Sequence, residues 1–376
     1  MRATQLFKDF FSSESLGGLL LVAATAIALL VANSAAGPAY ADLLHTRLAA
    51  KPFEFWVNDG LMTFFFLLVG LEIERELYVG ELSERRTALL PVSAAIGGMV
   101  VPVLFFAALN WGKPGMAGFG IPMATDIAFA LGILSLLGSR VPYTLKVFLT
   151  ALAIIDDMGA ILIISLFYTQ GFSAWALGGA GLAFGLMLLL NRMRVLALWP
   201  YFLLAVGLWV GLYQAGIHPT VAGILLAFAI PFGDGGERSP SYRLQHALHG
   251  PVAYLIMPVF ALTNAGIAFS PQDVAAGLGS ALGAGIVLGL VLGKPLGIVL
   301  FSELAVRASI ADRLEGVGRT QIWGASVLAG IGFTMSIFIT LLAFQDAESV
   351  WVAKIAVLAA SFLASLIGVM ILMRRK

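Results

Sequence analysis

With 376 residues, 60% of them hydrophobic and only 11% charged, the chain lies outside the soluble globular class, in which about a quarter of residues are charged. A net charge of +1, with no basic cluster interleaved with aromatics outside the loops, gives no sign of a nucleic-acid partner. Zero cysteines exclude disulfides, thiolate metal sites and cysteine nucleophiles, and the four histidines sit away from the centres of the long apolar runs, which argues against a transition-metal site.

In chain order, apolar runs separated by short polar or Pro/Gly-bearing loops predict twelve membrane spans, most near the roughly 20 residues that a bilayer core requires. The first, 16–33, follows Arg2 and Lys8. Ala39-Tyr40-Ala41 resembles a signal-peptidase site, but the preceding run exceeds the roughly 7–15 apolar residues of a signal peptide and reads as a helix that stays. An outer loop, 34–56, leads to spans 57–79 and 88–109. Span 115–138 carries Gly115, Gly118, Gly120 and Pro122 just before Thr125 and Asp126. Span 145–168 holds the adjacent pair Asp156 and Asp157. Spans 174–190 and 197–213 follow, then a short one, 218–231, with Pro219 and Pro231 at its ends. Span 250–268 precedes 280–302, which holds Lys294 among Gly283, Gly285, Gly289, Gly293 and Gly297. Span 323–343 has Gly330 and Gly332 just before Thr334 and Ser336, and span 351–373 ends the series.

Of the 22 lysines and arginines, only Arg47, Lys51, Lys113 and Lys354 fall on one side of this arrangement, with Lys294 inside it. The rest mark the cytoplasmic side. Both termini are then cytoplasmic, as an even number of spans requires. No loop is long enough to enclose a core of its own, so residues 1–376 read as a single membrane domain.

Asp126, Asp156, Asp157 and Lys294 fall near the middles of their spans. Each charge costs about 2.5–3.5 kcal/mol at the centre of a bilayer, or on the order of 10–14 kcal/mol for four left unpaired. They must pair, hold protons or bind something. They also fall in two blocks, spans three to five and ten to twelve, which cross the membrane in opposite senses. Glycines in a helix interior cost about 1 kcal/mol each relative to alanine. Glycines ahead of hydroxyl groups in spans four and eleven therefore suggest two interrupted helices, although glycine also serves plain helix packing. Interrupted helices expose positive amino ends and negative carboxyl ends, which one carboxylate and one ammonium would neutralise.

Neighbouring residues on a helix point about 100° apart, so Asp156 and Asp157 reach one cavity only if it wraps around their helix. A buried carboxyl beside a second one exchanges protons as part of a coupled pair. Hard carboxylate and hydroxyl oxygens, including that of Thr125, suit an alkali ion. Asp157 is the first choice for the ion ligand. Asp126 reads better as a neutraliser of helix ends. Lys294 reads either as a structural partner of Asp156 or as a proton carrier. A site that takes protons or a cation, but not both, exchanges one for the other. Two protons against one monovalent cation would move net charge, for which the membrane supplies about 2.3 kcal/mol per charge per 100 mV.

The segments FFFLLVGLEIEREL at Phe64–Leu77, GIPMATDIAFALG at Gly120–Gly132, LTALAIIDDMGAI at Leu149–Ile161, AGIHPTVAGILLAF at Ala215–Phe228, NAGI at Asn264–Ile267, GKPLGI at Gly293–Ile298 and GIGFTMSIFI at Gly330–Ile339 run along nearly the whole chain. Together they resemble the NhaA family of bacterial sodium/proton antiporters, itself a standing example of inverted repeats with broken helices and a midplane ion site. The resemblance implies an all-α polytopic protein of the bacterial inner membrane, with spans 3–5 and 10–12 as inverted repeats and spans 4 and 11 crossing at the midplane. It implies an electrogenic secondary transporter rather than an enzyme, expelling Na+ or Li+ against protons by alternating access, without a cofactor and in the service of sodium and pH homeostasis. Asp156 and Asp157 would form the Na+ site, with Thr125, Asp126 and Lys294 around it. A homodimer through loop 34–56 is implied, as is activation by alkaline pH. Glu72 matches a member of the regulatory cluster, with Glu76 nearby, and His218, His246 and His249 are further candidates. Gln245 stands where the family pattern has Glu before the first histidine, so the pH response would be shifted or flattened.

Rival classes fit less well. An intramembrane aspartyl protease places its two aspartates on separate helices and gives no reason for Lys294. A channel needs no coupling between cation and proton. A sodium-coupled symporter for an organic anion is the closer alternative, but the midplane offers little positive surface.

Overall fold

A bilayer core offers no water to backbone N–H and C=O groups, so apolar runs of this length close their hydrogen bonds within helices. The computed structural model of the chain is accordingly helical nearly throughout. It describes residues 2–80, 82–168, 171 and 173–374; Arg375 and Lys376, two of the basic residues assigned to the cytoplasmic side, lie outside these. Among the described residues, seven helices are long and apolar enough to cross a membrane. Three bent pairs each pass the same test together, for up to ten. Trp199–Gln214, with 16 residues, and Val221–Ala229, with 9, are shorter. The outer loop is partly ordered as a Gly37–His45 helix and a small antiparallel pairing of Arg47–Leu48 with Lys51–Pro52. Its turn holds two alanines, Ala49 and Ala50, at φ of 50° and 70°, a left-handed conformation that normally selects Asn or Gly.

The chain forms two compact units, each assembled from separated stretches. One comprises Met1–Ala41, Glu84–Ala160 and Ala261–Lys376; the other comprises Asp42–Ser83 and Ile161–Phe260.

In the first unit, close backbone approach carries the packing. A Cβ on Gly97 would overlap the carbonyl of Gly297, and a Cβ on Gly297 would overlap that of Gly97. Gly293 faces Pro102, Gly289 faces Pro122, and Gly285 faces Asn110 and Phe106. The glycine row thus lets the Lys294–Arg307 helix and the segment before it lie directly on the Arg85–Asn110 helix, as small residues do in membrane bundles. Just before Lys294 the helix opens into a π turn, Gly289–Gly293. Pro295 cannot donate a hydrogen bond to the carbonyl of Val291 and its ring would crowd that carbonyl. The wider turn accommodates the missing bond. The same arrangement recurs in the second unit, where the π turn Val252–Ile256 precedes Met257 and Pro258.

The second unit has a conventional apolar core, including Leu67, Leu71, Met187, Tyr201, Leu208 and Leu226. Gly70 sits against Ala227 and Ile224, and Gly223 against the backbone at Thr63 and Leu67. These contacts bring the Met62–Tyr78 and Val221–Ala229 helices together.

Candidate functional site

Two of the three bent helix pairs among the described residues lie wholly in the first unit. Between Pro114–Met123 and Ile127–Leu136 the axis turns by 42°; between Arg319–Ala329 and Phe333–Ala343 it turns by 41°. The first break follows Pro122. At the second, a Cβ on Gly330 would strike the carbonyl of Leu290, so a larger residue would push the break away from its neighbour. The two breaks touch, because the N–H of Asp126 donates to the carbonyl of Ile331 at 2.7 Å.

At this contact, one carboxylate caps two helices. Oδ1 of Asp126 accepts the N–H of Phe129 at 2.9 Å, in the first turn of its own helix. Oδ2 accepts both the N–H of Thr334, at 3.1 Å, and the Thr334 hydroxyl. The neighbouring N–H of Phe333 donates to Ser361 Oγ at 3.1 Å. Positive helix ends favour an anion, and here both share Asp126, which is fully buried.

The negative ends are met separately. The carbonyl of Met123, which closes one half-helix, accepts a hydrogen bond from the ammonium of Lys294. The carbonyl of Ala329, which closes the other, lies 3.0 Å from the hydroxyl of Thr125. Ser336 donates to the carbonyl of Ile121 at 2.7 Å and ties the second break to the first.

Lys294 also pairs with Asp156, Nζ to Oδ2, at 2.9 Å, and neither side chain is exposed. The Thr125 hydroxyl lies 2.9 Å from the same Oδ2. With one proton, that hydroxyl donates to Asp156 or to Ala329, one at a time. Oδ1 of Asp156 is buried and has no hydrogen-bond partner among the described residues. Asp157 is buried on the adjacent position and acts electrostatically on Lys294. A Cβ on Gly98 would press on the Ile298 side chain at 2.9 Å, one turn beyond Lys294. Of the residues read from the sequence as one constellation, Thr125 and Lys294 both meet Asp156 directly, while Asp126, next to Thr125 in the chain, bonds to the second break. Chemically the site offers buried carboxylate oxygens that accept protons or a small hard cation, next to a fixed ammonium.

The residues read as pH-responsive all lie in the second unit. Glu72 is close enough to Glu76 to interact electrostatically, as His246 is to His249. Arg75 stands 4.8 Å above the ring of Tyr242, which stacks on His246 at 6.2 Å. His218 lies elsewhere, with its Nδ1 3.6 Å from Oδ1 of Asp59. From Asp59 to Arg75 the helix climbs about 24 Å at 1.5 Å per residue, so His218 is remote from the Arg75 stack.

Sequence reasoning missed several participants. Glu74 is buried and accepts a hydrogen bond from Ser241 at 3.2 Å; its place between Glu72 and Glu76 was the available signal. Ser361 shares its apolar helix with Ser349 and Ser365, and nothing in the sequence marks it out from them. Thr334 and Ser336 were visible as hydroxyls after glycines, but not as partners of Asp126 and Ile121. The Met123 carbonyl is a backbone group and leaves no mark in a sequence.

Residues 8–372 match the family described as Na+/H+ antiporter 1. The chain is 51% identical over 368 residues to the Na(+)/H(+) antiporter NhaA of Flavobacterium psychrophilum, covering 98% of this chain and 96% of that one. It is 52% identical over 371 residues to the NhaA antiporter of Dechloromonas aromatica, covering 98% and 95% of the two chains. It is 48% identical over 369 residues to that of Vibrio cholerae, covering 97% and 96%.

Proposed function

The chain belongs to the Na+/H+ antiporter 1 family, and on that premise we propose that Asp156 and Asp157 form the site at which it exchanges sodium for protons. It is a multi-pass membrane protein and a secondary active transporter, not an enzyme. The observation that carries the assignment is the fully buried Asp156–Lys294 pair at the two helix breaks, where Oδ1 of Asp156 is left without a hydrogen-bond partner among the described residues. A sodium ion drawing on Asp156 and Asp157 competes with the Lys294 ammonium and the Thr125 hydroxyl for the same carboxylate. Protons arriving at the two carboxyls neutralise the ion's ligands and expel the ion. Asp126 supports the site by capping both half-helices and does not bind the cation.

Two protons against one sodium would make the exchange electrogenic, and lithium, also a hard cation, would substitute for sodium. The twelve-span reading counts Trp199–Gln214 and Val221–Ala229 as short spans beside the ten other candidates. On this reading both termini are cytoplasmic, residues 1–376 act as one transport domain in the bacterial inner membrane, and spans 3–5 and 10–12 form inverted repeats with spans 4 and 11 interrupted. Alternating access then opens the carboxylate site to one side at a time. We further infer activation by alkaline pH through Glu72, Glu76, His246 and His249, with His218 acting separately, and a homodimer through loop 34–56.

The test is proton flux in proteoliposomes carrying a pH gradient, with wild type compared to Asp157→Asn across pH 6.5–8.5. Collapse of the gradient by sodium and lithium, a weak response to potassium and silence in the variant are expected. Sodium-driven flux that persists in Asp157→Asn would overturn the assigned site.

A further inference from the structure

Apart from the crossing, the first unit encloses a second feature. The Lys294–Arg307 and Arg319–Ala329 helices and the segment between them form a pocket against Leu90 and Phe148. The hollow opens to the surface at its mouth. Its walls are mostly apolar, with Val299, Ile322 and Trp323 among them. Into this hollow project three charged side chains. Glu303 takes Arg313 Nη2 on Oε2 at 3.3 Å and Arg319 Nε on Oε1 at 3.2 Å. One carboxylate therefore faces two guanidiniums, and the trio carries net positive charge.

Two further facts separate this from a plain surface ion pair. Ser302, which lines the same pocket, is only 6% exposed, and its hydroxyl has no hydrogen-bond partner among the described residues. Buried hydroxyls without partners are uncommon and point to a group not yet accounted for. The arginines are 60% and 67% exposed at the side chain against 27% for Glu303. Exposed pairs of this kind contribute little, so both guanidiniums can turn to another anion at small cost. Net positive charge disfavours a cation here. Planar N–H forks beside an apolar wall suit a phosphate that carries a hydrocarbon portion.

We propose that this pocket binds an amphiphile whose phosphate headgroup is net anionic. Arg313 and Arg319 take the headgroup, the Ser302 hydroxyl donates to a deeper oxygen, and the apolar part lies along Leu90, Phe148, Val299 and Ile322. Glu303 holds the arginines in place when the site is empty and competes with the ligand when it is filled. A phospholipid of the surrounding bilayer and a soluble phosphate compound share the recognised group.

Native mass spectrometry of the delipidated full chain in neutral detergent tests this, with short-chain phosphatidic acid, short-chain phosphatidylcholine and inorganic phosphate as probes. Wild type should retain one phosphatidic acid per chain in preference to phosphatidylcholine. Arg313→Gln with Arg319→Gln should weaken it at least about tenfold, the scale of one charge-assisted hydrogen bond. Glu303→Gln should tighten it, because the competing carboxylate is gone. This opposite sign separates a headgroup site from damage to the fold. Competition by inorganic phosphate alone would support the site and identify a soluble source; competition by phosphatidic acid only would support it and identify the bilayer. Equal retention of phosphatidylcholine, or affinities unchanged in both the Arg313/Arg319 and the Glu303 variants, would overturn it.

Discussion

Asp126 and Thr334, 208 positions apart in the chain, are joined by two hydrogen bonds to a single carboxylate oxygen, one from the backbone N–H at 3.1 Å and one from the hydroxyl. The other oxygen of Asp126 caps its own helix at Phe129. One side chain therefore holds the amino ends of two half-helices in register, and anything bound at the crossing inherits that registration.

Loss of this double cap should be costly. A lost cap costs about 0.5–2 kcal/mol, so Asp126→Ala should destabilise by roughly 1–4 kcal/mol by the same measure. Asp126→Asn keeps one oxygen and should lose less. Thr334→Val removes only the hydroxyl and should be milder still. Thermal unfolding in detergent, run as a double-mutant cycle, should give a coupling between the two positions of about 0.5–3 kcal/mol. Strict additivity would mean that the contact contributes nothing.

The Asp156–Lys294 pair makes a different prediction. Removing one member of a buried pair leaves an uncompensated charge and costs about 3–5 kcal/mol, whereas apolar replacement of both is often neutral. Lys294→Met alone should therefore lower stability sharply, and Asp156→Leu with Lys294→Met should recover most of it. Neither variant should transport sodium. If Lys294→Met keeps wild-type stability, the lysine is not held by Asp156.

Net charge movement is measurable apart from the site. If one charge crosses per cycle, an imposed potential of 100 mV contributes about 2.3 kcal/mol and shifts the balance of the gradients roughly fiftyfold. Current recorded on supported membranes should reverse when the gradients offset that potential. Sodium-driven proton flux without any current would show an electroneutral exchanger.

Gly97 and Gly297 should not tolerate a methyl group, because each would meet the backbone of the other helix and backbone cannot move aside cheaply. Gly297→Ala should destabilise by about 1–3 kcal/mol. Gly178, in the Ala174–Arg192 helix, has nothing within 4 Å of such a methyl. Gly178→Ala should instead stabilise by about 0.5–1 kcal/mol. Apparent melting temperatures of the two variants should move in opposite directions.

Asp346 caps the Ala347–Met373 helix through the N–H of Ser349 at 2.7 Å. That bond holds its carboxyl below the ordinary carboxylate range. The cap is therefore fully present above the unfolded-state pKa and is lost as pH falls through the lower folded-state value. Hydrogen exchange at the Ser349 amide should accelerate only on strong acidification, and should be fast at neutral pH in Asp346→Ala. A Ser349 amide equally protected in that variant would argue against the cap.

The class of the molecule was legible without coordinates. Long apolar runs must close their own hydrogen bonds in lipid, so composition alone points to a helical membrane protein, and Asp126, Asp156, Asp157 and Lys294 stand out because charge is expensive there. Family resemblance reaches further, since GIPMATDIAFALG and IIDDMGAI are local strings that survive without any knowledge of packing. What only the tertiary structure decides is partnership. The capping of two helices by Asp126, the cap that Ser361 gives Phe333, the Met123 carbonyl under Lys294, and the burial of Glu74 against Ser241 all join groups distant in the chain, several of them backbone atoms. Periodicity records which face of a helix is apolar. It carries no record of which neighbour meets that face, and hydrogen bonds between distant segments exist only once those faces have packed.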